Sequence, residues 1–200
     1  MLELLVPTAI TLYSPQQMDD KAVDKSQIFC PICVANGYAS GVKSDQDWFF
    51  AANSSGGALW YRGIDRVQLG AVYHQGSRGL RALAGYQILQ ESAGAPALNI
   101  SYGVQSQETG STGTSLTLEK NFFRGIESLN VFGGVSRRTG ETQNRAVYGF
   151  KWSPDDRWFF GNQFDGVDHN PFFQVVRGDK SYGLLYTATR KVSLTFGISF

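Results

Sequence analysis

The sequence predicts an all-β chain: an antiparallel up-and-down β-barrel of about ten to twelve strands, preceded by an irregular segment. Three observations lead there. Apolar and polar residues alternate with a period of two from Asp47 almost to the end, the mark of strands with unlike faces. The breaks between alternating runs are short and rich in turn residues, as in Gln75-Gly76-Ser77-Arg78-Gly79, Thr109-Gly110-Ser111-Thr112-Gly113 and Pro154-Asp155-Asp156. Aromatics at 14% and 23 glycines suit strands, tight turns and bends better than helices. With 42% apolar and 18% charged residues in 200, the chain can bury a core and is not disordered.

Two regions follow: an N-terminal strand plus irregular loop segment, 1–45, and the barrel, 46–200. In the first, Val6 to Tyr13 reads as one strand. Pro15 then opens a polar stretch without a clear period, and Gly37, Ser40 and Gly41 mark a loop. The opening Met1-Leu2-Glu3-Leu4-Leu5-Val6-Pro7 does not read as a signal peptide, because it lacks a basic start and its apolar run is broken by Pro7.

In the barrel region, a first strand near 47–54 alternates poorly. Val67, Leu69, Ala71 and Tyr73 then share a face opposite Gln68, Gly70, Val72 and His74. Ala82, Ala84, Tyr86 and Ile88 oppose Arg81, Leu83, Gly85 and Gln87, while Leu98, Ile100, Tyr102 and Val104 oppose Asn99, Ser101, Gly103 and Gln105. Leu116, Leu118 and Phe122 oppose Ser115, Thr117 and Glu119; Leu129, Val131 and Val135 oppose Asn130, Gly134 and Ser136. Ala146, Tyr148, Phe150 and Trp152 oppose Arg145, Val147, Gly149 and Lys151; Trp158, Phe160 and Phe164 oppose Phe159, Gly161, Gln163 and Asp165. A strand near 172–178 is less regular. Tyr182, Leu184 and Tyr186 oppose Ser181, Gly183 and Leu185, and the run ends with Val192, Leu194, Phe196, Ile198 and Phe200 on one face. So long a meander must curl, split into two sheets or close, because open edges invite aggregation; closure into a barrel is the expectation.

Alternation alone does not say which face is inside. The apolar face is too bulky for a single small barrel to enclose, whereas turned outward toward lipid it meets no volume limit. The other face is made of Gly, Ser, Thr, Asn and Gln with scattered charges, and suits a polar lumen lined by Arg81, Glu119, Lys151 and Asp165. Aromatics stand beside turns, so Trp152, Trp158 and Tyr182 are expected interface anchors. Lys120, on the apolar face near a strand end, is expected to snorkel.

The last strand, Lys191 to Phe200, alternates and ends in an aromatic residue. In this it resembles the insertion signal of Gram-negative bacterial outer-membrane β-barrel proteins. The resemblance covers roughly residues 47–200 and implies a transmembrane barrel in the outer membrane. Its partners would be the lipid bilayer and the insertion machinery that adds such a strand to its sheet edge, with Phe196, Ile198 and Phe200 as the signal.

Few residues offer chemistry. Cys30-Pro31-Ile32-Cys33 has the spacing of half a zinc site or a redox dithiol. The two histidines lie far apart and no α/β context is in view, so the pair reads as a local disulfide or free thiols. Asp165, Asp168 and His169 fall in an acceptor-rich turn, a candidate site for a cation, a sugar or a general base, though an Asx-type turn bonded to its own backbone is the favoured reading. His74 reads as a solvated or lumen histidine. No nucleophile elbow, zincin helix or phosphate-cradling loop appears. No cofactor is expected, and a net charge of +1 argues against a nucleic-acid binder. The expectation is a non-enzymatic barrel, structural or a narrow passive channel for small solutes. The alternative is a soluble all-β barrel or sandwich holding a lipid or other apolar ligand inside; a membrane-embedded hydrolase would need a Ser–His–acid geometry that the sequence does not display.

Overall fold

The computed structural model describes residues 47–64, 66–76, 78–106, 109–155, 157–187 and 191–200. The expected strand at 6–13, the irregular stretch 14–45 and the Cys30/Cys33 pair lie outside the described residues. Twelve strands form a closed antiparallel barrel: β1 (Trp48–Asn53), β2 (Gly56–Ile64), β3 (Val67–His74), β4 (Gly79–Leu89), β5 (Ala97–Val104), β6 (Thr112–Arg124), β7 (Glu127–Arg138), β8 (Arg145–Ser153), β9 (Trp158–Phe164), β10 (His169–Arg177), β11 (Lys180–Thr187) and β12 (Lys191–Ser199).

Each strand pairs with its neighbours in sequence, and β12 returns to β1 with Phe50 opposite Ile198. The ring is sealed where Trp48 and Phe200 exchange both backbone bonds, at 3.1 and 3.0 Å. Closure removes the edges that an open sheet would expose. With an even strand number, the turns after β2, β4, β6, β8 and β10 lie at the Trp48–Phe200 end, hereafter the near end; the turns after the odd strands lie at the far end. Irregularities in register interrupt β2–β3 between Tyr61 and Ile64, and β4–β5 between Gln87 and Leu89.

Large apolar side chains are exposed on the outside. Leu59, Leu69, Ile100, Leu116, Leu118, Phe150, Phe160, Leu184 and Leu194 all lie on outward positions. Gln68, Ser115, Thr117, Glu119, Asn130, Lys151, Gln163 and Thr195 are buried inside. The irregular strands have a physical explanation: β1 and β10 point Phe49, Ala51, Phe172 and Val176 inward, so both their faces are apolar. β2 hides its alternation in the same way, with Ala58 and Trp60 buried against exposed Leu59. Val104 departs from the sequence pattern. It is fully buried rather than exposed with Ile100 and Tyr102, because it stands where β5 gives way to a loop held by Gln105 N to Ser111 O at 2.7 Å.

Inner rings find room over glycines of the next strand. Trp60 faces Gly70, Phe132 faces Gly149 and Phe172 faces Gly161 in direct register. A Cβ at Gly70 would sit 3.1 Å from the Trp60 ring, and at Gly149 2.6 Å from that of Phe132. A Cβ at Gly161 would collide with the Phe172 ring and the Phe150 carbonyl. The rings thus lie along the wall instead of projecting across the lumen.

Gly161→Val is therefore expected to destabilise the barrel by about 1–3 kcal/mol, the usual cost of overpacking. Gly133→Ala, where a Cβ meets nothing within 4 Å, should change stability by less than about 0.5 kcal/mol. Urea titration of the folded fraction, followed by heat-dependent gel mobility, measures both; equal midpoints for the two variants would contradict the seating of Phe172.

Candidate functional site in the barrel interior

The alternation that turns apolar residues out delivers the polar ones to a shared interior, and pairing decides which of them meet. Glu119 on β6 lies opposite Ala97 on β5 and Phe132 on β7. Its carboxylate accepts from Asn99 Nδ2 at 3.1 Å and from Asn130 Nδ2 at 2.7 Å. Asn130 Nδ2 also donates to Asn121 Oδ1 at 2.7 Å. Asn121 in turn donates its backbone N–H and its amide to Glu91, at 2.9 and 2.6 Å. The buried carboxylate is thus solvated by amides, which makes its burial tolerable.

Lys151 is buried on β8, its Nζ 5.4 Å above the centre of the Phe159 ring, within range of a cation–π attraction. Lys120 reaches the near end, where its Nζ lies 3.4 Å from Glu91 and donates to the carbonyls of Ser92 and Ala93.

A second polar group sits at the far end. Arg138 on β7 donates through Nη2 to Gln105 O at 3.3 Å and lies 3.7 Å from Asp165 Oδ1. Asp165 is buried, and its Oδ1 accepts the backbone N–H groups of Val167 and Asp168, both at 3.0 Å. The turn is thus of the Asx type. Burial pushes the Asp165 carboxyl above its ordinary value, outweighing the help of those N–H groups and of Arg138. Glu141 behaves oppositely: the 2.7 Å hydrogen bond from Arg145 Nε holds its carboxyl below the usual range.

Among the sequence-derived candidates, Glu119, Lys151 and Asp165 are buried in the interior. Arg81 shares the inward face of its partner Val72 but is exposed at the far rim. His74 is buried, its Nδ1 accepting the Gly76 N–H at 3.1 Å. Asp168 contributes backbone to the turn, while His169 stands exposed on the outer side. His169 Nδ1 is 2.9 Å from Asn162 Nδ2, and its ring packs near Phe164 and Tyr148. The turn therefore does not gather its three candidates around one point. Among the described residues, no three His, Cys, Asp or Glu side chains come together as a metal site.

Trp152, Trp158 and Tyr182 are all exposed at the near end. Trp152 donates its ring N–H to Glu127 at 2.8 Å and packs at a tilt against Phe160, while Trp158 stacks on Phe173. Phe196 and Ile198 are half-buried on the outer face of β12, and Phe200 is 53% exposed.

The amide partners of Glu119 escaped the sequence reading, although Asn99 and Asn130 lie on polar faces. Period two assigns a face; it does not say which residues of neighbouring strands stand opposite. Glu91 carried no signal, since it lies in the connection after β4.

No protein-family model matches this chain, and no curated protein matches it.

Two outcomes are expected. Glu119→Ala strands the amide donors of Asn99 and Asn130 and should cost about 1–3 kcal/mol for each donor left unsatisfied. A urea midpoint equal to that of the wild type would show that the network contributes nothing. For Asp165, whose folded pKa is raised, the native state keeps a proton that the unfolded chain has lost. Its ionisation therefore removes stability as pH rises from the ordinary carboxylate value through the raised one. Asp165→Asn should gain stability relative to the wild type across that window; a difference independent of pH would count against the burial effect.

Proposed function

We propose that the barrel spans a lipid bilayer, the bacterial outer membrane, as a non-enzymatic protein whose narrow polar interior passes small solutes. One observation supports this reading above the others: large apolar side chains stand exposed over the outer wall. Exposed large apolar side chains are the informative exception in a folded protein, and here they cover the middle of the outer wall, while amides, hydroxyls and charges share the inside with the rings of Phe49, Trp60, Phe132 and Phe172.

The band is bounded as a bilayer requires. Trp48, Trp152, Trp158 and Tyr182 ring the near end, and Tyr73, Tyr102, Tyr148 and Tyr186 the far end, with aliphatic and phenylalanine side chains between. Such paired aromatic belts match the two interfaces of a membrane. Among the described side chains, outward charges such as Arg124, Arg137, Arg177 and Lys180 stand at strand ends, while Lys120 lies within β6 and turns its ammonium to Glu91 and the carbonyl of Ser92.

The proposed partners are the bilayer and the insertion machinery, with the outer face of β12 read as the signal. Phe200 is suited to that role because its backbone already completes the ring with Trp48 while its side chain remains exposed.

A charge in the middle of the band separates this reading from a soluble ligand-binding barrel. Leu118 lies on β6, well away from both ends, and is exposed. In a bilayer, Leu118→Arg should cost about 2–4 kcal/mol of stability. In a soluble barrel a surface substitution should stay within about 0.5 kcal/mol and improve solubility. Folding into phosphatidylcholine vesicles, scored by co-flotation and heat-dependent mobility, makes the comparison; a wild-type chain that stays monodisperse in detergent-free buffer would sink the bilayer reading. Phe200→Ala, which keeps the backbone pairing, should lower the yield of assembled barrel in bacterial membranes, and an unchanged yield would remove Phe200 from the signal.

A further inference from the structure

Two hairpins at the near end are built alike and closed differently. Each turns through two residues, Gly125-Ile126 between β6 and β7 and Gly178-Asp179 between β10 and β11, with the glycine at φ 62° and 61° respectively. The first hairpin closes with Arg124 opposite Glu127, two unlike charges. The second closes with Arg177 opposite Lys180. Both side chains of this second pair are outward and exposed. Among the described residues, no other two like charges stand directly opposite each other across a ladder. Like charges so placed repel and weaken the pairing of their strands. The ion pairs among the described residues join Lys120 to Glu91, Arg138 to Asp165, Arg145 to Glu141 and Arg157 to Asp155, and none takes Arg177 or Lys180. Asp179, the acid of the turn itself, gives its backbone carbonyl to the Ser199 N–H at 2.9 Å.

Further from the rim the same outer wall turns apolar. Val175 stands opposite Trp158 on one side and Tyr182 on the other, so the smallest of three neighbouring side chains lies between two exposed aromatic ones. Each ring is braced by another. Trp158 stacks on Phe173 with centroids 5.5 Å apart, and Tyr182 packs at a tilt against Phe196 at 5.6 Å. Arg177 lies two residues beyond Val175, roughly 7 Å further along the strand. From the rim inward along the wall, the order is therefore two cations, then the valine between its aromatic neighbours, then Phe173 opposite Leu184.

We infer that Arg177 and Lys180 bind the phosphate of an anionic phospholipid, whose acyl chains lie over Val175 between Trp158 and Tyr182. The inference rests on the reading of the barrel as bilayer-spanning. A phosphate set between the two cations turns their mutual repulsion into charge-assisted contacts, and a guanidinium offers it two parallel N–H groups. A zwitterionic headgroup brings its own cation to the same place and cancels part of that attraction, so the pair selects lipids of net negative charge. The two aromatic side chains fix the depth, since amphipathic rings settle at the headgroup level. Asp179 opposes the phosphate from the turn, and the closed Arg124–Glu127 pair of the sister hairpin offers no such site.

The test uses the full chain in phosphatidylcholine vesicles carrying a minor share of phosphatidylglycerol, with insertion checked first by co-flotation and heat-dependent mobility. Bromine on the acyl chains of one lipid quenches the fluorescence of the tryptophans it touches, and Trp158 is the reporter. Brominated phosphatidylglycerol should quench several-fold more than the same amount of brominated phosphatidylcholine. Arg177→Gln combined with Lys180→Gln should remove that excess. Lys180→Glu, which gives this hairpin the unlike closing pair of its sister, should remove it too while keeping the hairpin closed. Trp158→Phe should abolish it by deleting the reporter, whereas Arg124→Gln, which also takes an outward cation from the near end, should leave it intact. Equal quenching by the two lipids in an inserted wild-type barrel would overturn the site and leave the bilayer reading standing. An excess lost as fully in Arg124→Gln as in the double variant would overturn it as well, because surface charge at large would then suffice. So would an excess abolished by inorganic phosphate but not by chloride at equal ionic strength, the mark of a site for the free anion. A chain that never enters the vesicles would overturn both readings.

Discussion

Closure of the hydrogen-bond ladder is the constraint on which the rest depends. Every strand has a partner on both sides because β12 pairs with β1, and the Trp48–Phe200 exchange seals the ring. Once the ring is closed, register cannot slip locally, since a shift of one residue would turn a whole strand inside out. Partners followed around the ring return to β1 displaced along the strand, the stagger that accompanies a tilt of roughly 35–45° in closed barrels. Closure thus converts a pattern local to each strand into one outer surface and one interior.

Within that interior, space is the second constraint. Rings as large as Trp60, Phe132 and Phe172 point inward, and each is matched by a glycine directly across the pair. The same glycines that weaken strand propensity therefore let aromatic surface pack flat against the wall. The glycines of β11 and β12 have hydroxyls as well as a ring among their neighbours. Gly183 is flanked by Gln174 and Thr195, and Gly197 by Ser181 as well as Phe49. The same device thus serves strands that seat rings and strands that pack hydroxyls.

Electrostatics follow this division. Glu119 and Lys151 occupy the β6–β8 sector, where amides from Asn99 and Asn130 and the face of the Phe159 ring surround them. Asp165 and Arg138 occupy the far rim, where backbone N–H groups of the turn share the work. Charges placed among such partners cost less than charges facing bare hydrocarbon.

The sequence by itself determined that this is a meander of antiparallel strands with one apolar and one polar face, because a strand's side chains alternate whatever it pairs with. It determined the faces of Glu119, Lys151, Leu118 and Phe196 for the same reason. It was blind where both faces are apolar, at Phe49–Ala51, Ala58–Trp60 and Phe172–Val176, since there the contrast that reveals alternation is lost. Only the tertiary structure decided the strand number, the meeting of Glu119 with Asn99 and Asn130 and of Asn121 with Glu91, the seating of rings on glycines, and the burial of Val104. These are relations across strands, set by register and by closure, and no spacing within a single strand encodes them.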